Sequence, residues 1–465
     1  MKIFFILISL CVQLTFAQSD VINNLYHDYQ KFREKSFTNK EVKHDEITPL
    51  IESLKDNDIF ELQCVGTSLL NREIYRIKLG KGEKKIFLWS QMHGDEHTAT
   101  KAIFDILNFF KSSDENYKSF KEELLNQLSI FIIPMTNPDG AAINNRRNLF
   151  EIDLNRDALN PQSPESKILM SSFQEIEPLF SFNLHDQYSN YSVGKTNKTA
   201  AISFLAPSTG EKTENPSQIR SKQLIVNLAK SLNRFIPGHI AKYSDEYEPR
   251  AFGDNFQKLG GGVILIESGG WKADDKKNFI RKLNFLTLID AMSSIAKNTY
   301  TYAQLEEYDQ IPFNQRRHFD LILRNVKIEK NGNTIMVDIG INKSESRQQS
   351  TIIEDIGDLS NYFGVTEFDF SGYMAERGKS KELTKEMGPV ELFDLLKNGY
   401  TSVILKNDVK LRNNLPQNII TRQPTSNFEY YKKSAELIIR KANSIEYIIV
   451  KNKIYNFRTN LVMDF

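Results

Sequence analysis

His93 and Glu96 stand three residues apart in the stretch Gln91-Met92-His93-Gly94-Asp95-Glu96. An imidazole and a carboxylate at that spacing, where a strand turns into a helix, can aim at one point in space. Zinc accepts both kinds of donor atom, and a catalytic zinc takes three protein ligands and leaves a fourth position open to water. The spacing is weak evidence by itself, because His-x-x-Glu is common on solvated helices. The reading depends on whether the chain supplies a third ligand, a base and anion-binding arginines.

The elements around the candidates repeat one pattern. The apolar run Ile86–Ser90 predicts a buried strand before His93, and the spacing of Thr98–Leu107 predicts a helix after Glu96. His185 ends the apolar run Leu179–Leu184, and Glu267 ends Val263–Ile266 before Ser268-Gly269-Gly270. The run Leu128–Pro134 predicts another strand. It opens into a polar loop holding Asn137-Pro138-Asp139-Gly140, Arg146-Arg147-Asn148 and Asp153-Leu154-Asn155-Arg156-Asp157. A lone His or Glu after a strand is usually structural or solvated; four strand ends all carrying ligand or base chemistry make coincidence a poor explanation.

Upstream, one or two helices are expected within about residues 20–57, and Phe60–Gly66 and Glu73–Gly80 read as paired strands around Asn71-Arg72. A strand at Ala201–Leu205 and helices near 165–177, 216–235 and 273–297 complete an alternating series. The expected class is α/β, a mostly parallel mixed sheet sandwiched by helices. Ligands on such sheets sit at the carboxyl ends of strands, where the candidates fall.

Taken in order, these pieces resemble the carboxypeptidase A-like family of zinc carboxypeptidases over roughly residues 50 to 297. The resemblance implies a carboxypeptidase-like fold with one Zn2+ per chain held by His93, Glu96 and His185. It implies Glu267 as general base and Arg156, with Asn155 beside it, as the binder of a substrate's terminal carboxylate. Arg146 would stabilise the oxyanion in preference to Arg147, and Asp153 would orient His93. The chemistry suits those residue types. Zinc acidifies water and polarises a carbonyl, a nearby carboxylate can carry the proton, and the planar fork of Arg matches a carboxylate.

Three features depart from the familiar pattern. Asp157 follows Asn155-Arg156, and Asp186 follows His185; both carboxylates could pair with Arg146 or Arg147, or recognise a substrate amino group. The family's active-site tyrosine has two candidates, Tyr243 and Tyr247, and Tyr247 is favoured. Asp245, Glu246, Glu248 and Asp254 make that loop acidic and are expected to shape a specificity pocket. His97 is read as a non-ligand.

The formal net charge is +1 at pH 7, a balance that points neither to nucleic acid nor to an acidic membrane surface as a partner. Residues 1–17 have a basic start, an apolar core and Ala17 before Gln18-Ser19, the pattern of a cleaved signal peptide. The expectation is export to a periplasm or beyond, with Cys64 as the one cysteine of the mature chain and no transmembrane anchor. The catalytic region is expected over 18–299. Residues 300–465 read as a β-rich accessory region of one or two modules, with a hairpin around Lys330–Asn333, strands at Tyr400–Leu405 and Glu446–Val450, and a helix over about 427–443. The leading functional reading is an exopeptidase acting on peptides with a free C-terminal carboxylate. The alternatives are a zinc amidase cutting cell-wall peptides and an inactive carbohydrate- or peptide-binding module that keeps the fold. The sequence leaves the oligomeric state open.

Overall fold

The computed structural model describes residues 21–343, 351–383, 387–405 and 430–465. The expected signal peptide lies outside the described residues. The chain forms two compact units, one running through Gln315 and the other from Arg316. The boundary falls after residue 299 because the segment beyond it packs into the first unit: Tyr308 is buried, and its hydroxyl accepts from the backbone N of Ala206 at 3.1 Å.

The first unit is built on an eight-stranded mixed sheet. Its strands are β1 (Phe60–Thr67), β2 (Glu73–Leu79), β3 (Lys84–Ser90), β4 (Leu128–Ile133), β5 (Phe180–Asp186), β7 (Ile202–Leu205), β8 (Ile240–Lys242) and β9 (Val263–Ser268). A short strand, β6 (Tyr191–Val193), lies outside this sheet. The order is β1-β2-β4-β3-β5-β9-β7-β8. The centre β4-β3-β5-β9 is parallel, while β1, β2 and β7 join their inner neighbours antiparallel.

Helices cover both faces, as continuous apolar strands require. They are α1 (residues 21–28), α2 (His44–Glu52), α3 (Thr98–Lys111), α4 (Lys118–Gln127), α5 (Pro138–Ala142), α6 (Pro164–Ile176), α7 (Pro216–Leu232), α8 (Phe252–Lys258), α9 (Asn278–Lys297) and α10 (Glu306–Gln310). Alternation along β3 sorts the two cores. Ile86 and Leu88 join the cluster containing Ile103, Leu107, Phe285 and Leu288 of α3 and α9. Phe87 and Trp89 join Leu169, Phe173, Phe252 and Phe256 of α6 and α8.

The parallel register sets the site. Ser90 pairs with Leu184, and His185 pairs with Glu267, so β3, β5 and β9 end side by side. The loop after β3 fits because Gly94 has no side chain: a Cβ there would lie 2.2 Å from the backbone carbon of Gly140.

The second unit is β-rich. After β10 (Asn314–Arg316), the strands β11 (His318–Lys330) and β12 (Asn333–Lys343) form the expected hairpin. Its turn residues Asn331 and Gly332 both have positive φ, 54° and 77°, the backbone that Asn-Gly favours. These strands belong to a nine-stranded sheet, and a separate two-stranded parallel sheet contains Tyr400–Leu405. The expected helix over 427–443 is corrected for its described part: Leu437–Lys441 is a strand between Met374–Arg377 and Ser444–Val450. Leu437, Ile438 and Ile439 are each fully buried, so both faces of the segment are covered. Consecutive burial suits a central strand and defeats helical periodicity. Residues 427–429 lie outside the described residues.

Candidate metal centre and active site

His93, Glu96 and His185 converge, with one candidate ligand atom from each lying within 4.8 Å of the others. His93 Nδ1 is 2.7 Å from Glu96 Oε1, His185 Nδ1 is 2.8 Å from Glu96 Oε2, and the two Nδ1 atoms are 3.2 Å apart. Two nitrogens bound to one tetrahedral zinc at the usual bond length are about 3.3 Å apart, so the donors stand where a shared cation would hold them. The set also has the right chemistry, two imidazoles and a carboxylate, all buried.

The far side of His93 fixes its tautomer. Nε2 lies 3.1 Å from Asp153 Oδ1 and donates there, so that Nδ1 is the nitrogen whose lone pair would face inward once a bound cation replaced its proton. Arg146 Nη1 lies 3.1 Å from that same Nδ1. Arg146 also donates to Asp153 Oδ2 at 3.1 Å and to Glu96 Oε1 at 3.3 Å. Arg147 points away, with its Nη1 on the carbonyl of Glu151 at 2.8 Å.

Charge is unevenly held among these groups. Burial would raise the Glu96 carboxyl, but the two imidazoles hold it well below the usual range. Burial opposes charge on His93, yet the Glu96 and Asp153 carboxylates outweigh it and push the imidazole up to about 9. Burial pulls His185 down. Glu267 is driven well above the ordinary carboxylate range, first by burial and then by the Glu96 charge. Its Oε2 is buried without a hydrogen-bond partner among the described residues, as is Nε2 of His185. A bound divalent cation reverses this local logic and draws a neighbouring carboxyl back toward ionisation.

The carboxylate-binding candidates sit beside this cluster. Arg156 is exposed, and its Nε faces Glu248 Oε2 at 3.0 Å. Asn155 is buried, and its Oδ1 accepts from the backbone N of Phe252 at 3.0 Å, bolting the Arg156 loop to the start of α8. The Asn137-Pro138-Asp139-Gly140 turn is a bracket rather than part of the cluster. Asn137 Nδ2 donates to the carbonyl of Met92 at 3.2 Å, and Asp139 accepts from Ser68, Leu70 and Arg72.

Several expectations change. Asp157 does not pair with Arg146 or Arg147; it accepts from the backbone N of Gln162 and from the N and Oγ of Ser163, which stiffens its own loop. Asp186 accepts from Thr98 Oγ1 at 2.6 Å and from Lys277 Nζ at 3.2 Å. Lys277, which sequence reasoning missed, also donates to the carbonyls of Gln187 and Ser268 and so clamps the ends of β5 and β9 together. His97 is a non-ligand, as expected: its Nδ1 accepts from Val42 N and Gln91 Nε2, and its Nε2 lies 2.7 Å from Asn144 Oδ1.

The two tyrosines separate clearly. Tyr247 is 37% exposed, with its ring packed over Gly210. Tyr243 is half-buried, and its backbone N donates to the carbonyl of Phe204 at 2.8 Å. Burial raises its hydroxyl, and so do the charges of Glu267 and Glu96, which places it electrostatically within the cluster.

A buried cluster of two histidines and a carboxylate, with a neighbouring carboxyl and two arginines, is the constellation of a metal-dependent hydrolase. Residues 47–248 match the family model described as zinc carboxypeptidase. Carboxypeptidase SOL1 of Arabidopsis thaliana is 30% identical over 106 residues, covering 20% of this chain and 21% of the relative. Gamma-D-glutamyl-L-diamino acid endopeptidase 1 of Lysinibacillus sphaericus is 31% identical over 101 residues, covering 19% of this chain and 26% of the relative. The chain thus spans about a fifth to a quarter of these curated relatives. Among solved structures, carboxypeptidase A from Helicoverpa armigera superposes with a TM-score of 0.46 at 14% identity, covering 62% of this chain and 81% of the other.

Proposed function

We propose that this chain is a zinc-dependent exopeptidase that hydrolyses the C-terminal bond of peptides carrying a free carboxylate. The observation that carries the reading is the meeting of His93, Glu96 and His185 with Glu267 on the adjacent strand register. One Zn2+ per chain would be held by His93, Glu96 and His185. When bound there, zinc supplies Lewis acidity that polarises the scissile carbonyl and lowers the pKa of water.

The chain's own groups do the rest. Arg156, with Asn155 beside it, holds the terminal carboxylate and displaces its present partner Glu248. Glu267 takes a proton from the attacking water and returns it to the leaving nitrogen. Arg146, already within 3.1 Å of His93 Nδ1, donates to the oxygen on which negative charge develops. Asp153 keeps His93 in its tautomer. Tyr243, rather than Tyr247, is the tyrosine assigned to the site.

A second reading keeps the site and changes the substrate to a cell-wall peptide. The local similarity to the Lysinibacillus sphaericus endopeptidase favours it. The third, an inactive binding module, has against it the retention of all three ligands, both arginines and Glu267. Mass spectrometry of products from linear peptides and from soluble cell-wall fragments, each with and without a chelator, separates the readings. Chelator-sensitive loss of single C-terminal residues from linear peptides supports the exopeptidase. Cleavage confined to the cell-wall pool replaces it with the amidase, and silence in both with zinc bound favours the binding module. Export is proposed from residues 1–17 alone; a mature N-terminus at Gln18 would support it and an intact Met1 on the folded chain would refute it. Among the described residues no helix is long and apolar enough to cross a membrane.

A further inference from the structure

His97 follows the metal ligand Glu96, and the proposed chemistry gives it no task. It is 3% exposed, yet its two ring nitrogens face partners from distant stretches of chain. The backbone N of Val42 lies 3.2 Å from Nδ1, and a backbone N–H can only donate. Nδ1 is therefore the acceptor and the proton sits on Nε2, which donates to Asn144 Oδ1 at 2.7 Å. Gln91 completes the group. Its Nε2 faces the carbonyls of Val42 at 3.0 Å and Gly94 at 3.1 Å, which fixes the orientation of the amide, and reaches His97 Nδ1 at 2.8 Å.

These contacts join two pieces of backbone that carry the site. Asn144 opens the turn into Arg146, and that turn lies directly against the metal loop: a Cβ on Gly94 would stand 2.4 Å from the Asn145 carbonyl oxygen. Gly94 N also donates to the Arg146 carbonyl at 3.3 Å. Gly94 thus holds the backbone of the arginine, and His97 holds the entry to it. Both ends of the connection stand in left-handed backbone, Gln91 at φ 48° and Asn144 at φ 52°. Asn tolerates that region; Gln adopts it at a cost, which persists where surrounding contacts impose it. The support behind His97 is itself fixed. Val42 is fully buried and ends a segment fastened to α9 and α3, where Arg281 donates to the Glu34 carbonyl at 2.9 Å and Lys101 to the Asn39 carbonyl at 2.6 Å. An apolar side chain would fill the same space, but the hydrogen bonds of a buried imidazole specify one arrangement.

Resting on the assignment of Arg146 to the oxyanion, we propose that His97 is a positioning residue for that arginine. It carries the fixed position of Val42 and Gln91 across to Asn144 and so sets where the Arg146 guanidinium meets the metal site. The Arg146 side chain is 42% exposed, so its placement rests on its own ion pairs and on the backbone beneath it. His97 acts through Asn144 and does not itself meet the substrate.

The test uses the zinc-loaded full chain and a linear peptide with a free C-terminal carboxylate. His97→Leu should lower kcat about 10- to 100-fold, as a small misplacement of a catalytic group does, with KM within about twofold and bound zinc unchanged. His97→Gln, whose amide keeps one acceptor and one donor, should recover most of that loss. Asn144→Gly removes the Oδ1 acceptor while keeping left-handed backbone accessible; it should mimic His97→Leu and serves if that variant fails to fold. In an Arg146→Ala background, His97→Leu should cost less than about twofold, because the arginine it positions is gone. Wild-type kcat in a folded His97→Leu protein, an equal loss in both backgrounds, or a loss explained by missing zinc overturns this proposal and leaves the exopeptidase standing. An Arg146→Ala protein as active as wild type removes the role of the arginine and that of His97 with it. No zinc-dependent release by the wild-type chain overturns the exopeptidase reading as well.

Discussion

Replacing Asp153 with Ala removes three contacts at once. His93 loses the acceptor 3.1 Å from its Nε2, Arg146 loses the oxygen 3.1 Å from its Nε, and Asn155 loses the acceptor 3.0 Å from its backbone N. Loss of the acceptor behind a metal-bound imidazole weakens metal affinity by about 10- to 100-fold. At ~30-fold, about 2 kcal/mol of zinc binding disappears. Zinc binding stabilises the fold by mass action, so the zinc-dependent gain in stability shrinks by the same ~2 kcal/mol. At about 2–4 °C per kcal/mol for a large domain, the zinc-induced rise in Tm should fall by roughly 4–8 °C. Thermal melts across a zinc series, with Kd from competition against a chelator, give both quantities. Asp153→Asn keeps an oxygen that His93 can donate to while removing the charge that faces Arg146, and should fall between wild type and Ala. A folded Asp153→Ala protein whose zinc Kd stays within about twofold of wild type would refute the role given to this carboxylate.

Three more outcomes follow from the same geometry. Glu267→Gln should bind zinc as wild type does, by metal analysis of the purified protein, while kcat falls by about 10²- to 10⁴-fold; substantial turnover would remove Glu267 as the base. Arg156→Ala should lose about 1.5–3 kcal/mol of affinity for peptides with a free carboxylate, read as a rise in KM, with little effect on C-terminally amidated analogues. Asp254 tests the folded-state cost of a buried carboxyl. Its carboxyl is raised in the folded chain from 3.8 to about 6. A raised carboxyl stabilises below the unfolded pKa, and that stability is lost as pH rises through the folded one. About 3 kcal/mol should therefore vanish between roughly pH 4 and pH 6. Urea melts should show Asp254→Asn gaining on wild type across that window; parallel curves would mean the group is not perturbed.

Much of the site was legible because buried parallel strands are written as apolar runs, and a ligand at a strand end interrupts the run. His185 and Glu267 stand directly after such runs and His93 three residues past one, and the structure puts those strand ends side by side. The Asn137-Pro138-Asp139-Gly140 motif was visible without its purpose, which is to brace the carbonyl of Met92 and the segment Ser68–Arg72. The sequence favours Tyr247 over Tyr243 with no periodic signal behind the choice, because the two lie four apart in a loop. The backbone bond from Tyr243 to Phe204 ties the first to the sheet and leaves the second over Gly210. The partners of Asp186 were equally hidden, since Lys277 lies ninety-one residues away and meets it only through the folded ends of β5 and β9. The misassigned helix shows the reverse case. Leu437-Ile438-Ile439 is a short apolar run that periodicity cannot assign, and burial on both faces makes it a strand.

The most direct test of the account is a zinc titration of the metal-stripped chain, with release of the C-terminal residue from a linear peptide measured at each addition. The account predicts no release without metal, a linear rise on adding zinc, and saturation at one zinc per chain, with His93→Ala and His185→Ala failing to recover. Release that persists after stripping, or saturation unaffected by loss of either histidine, would contradict it.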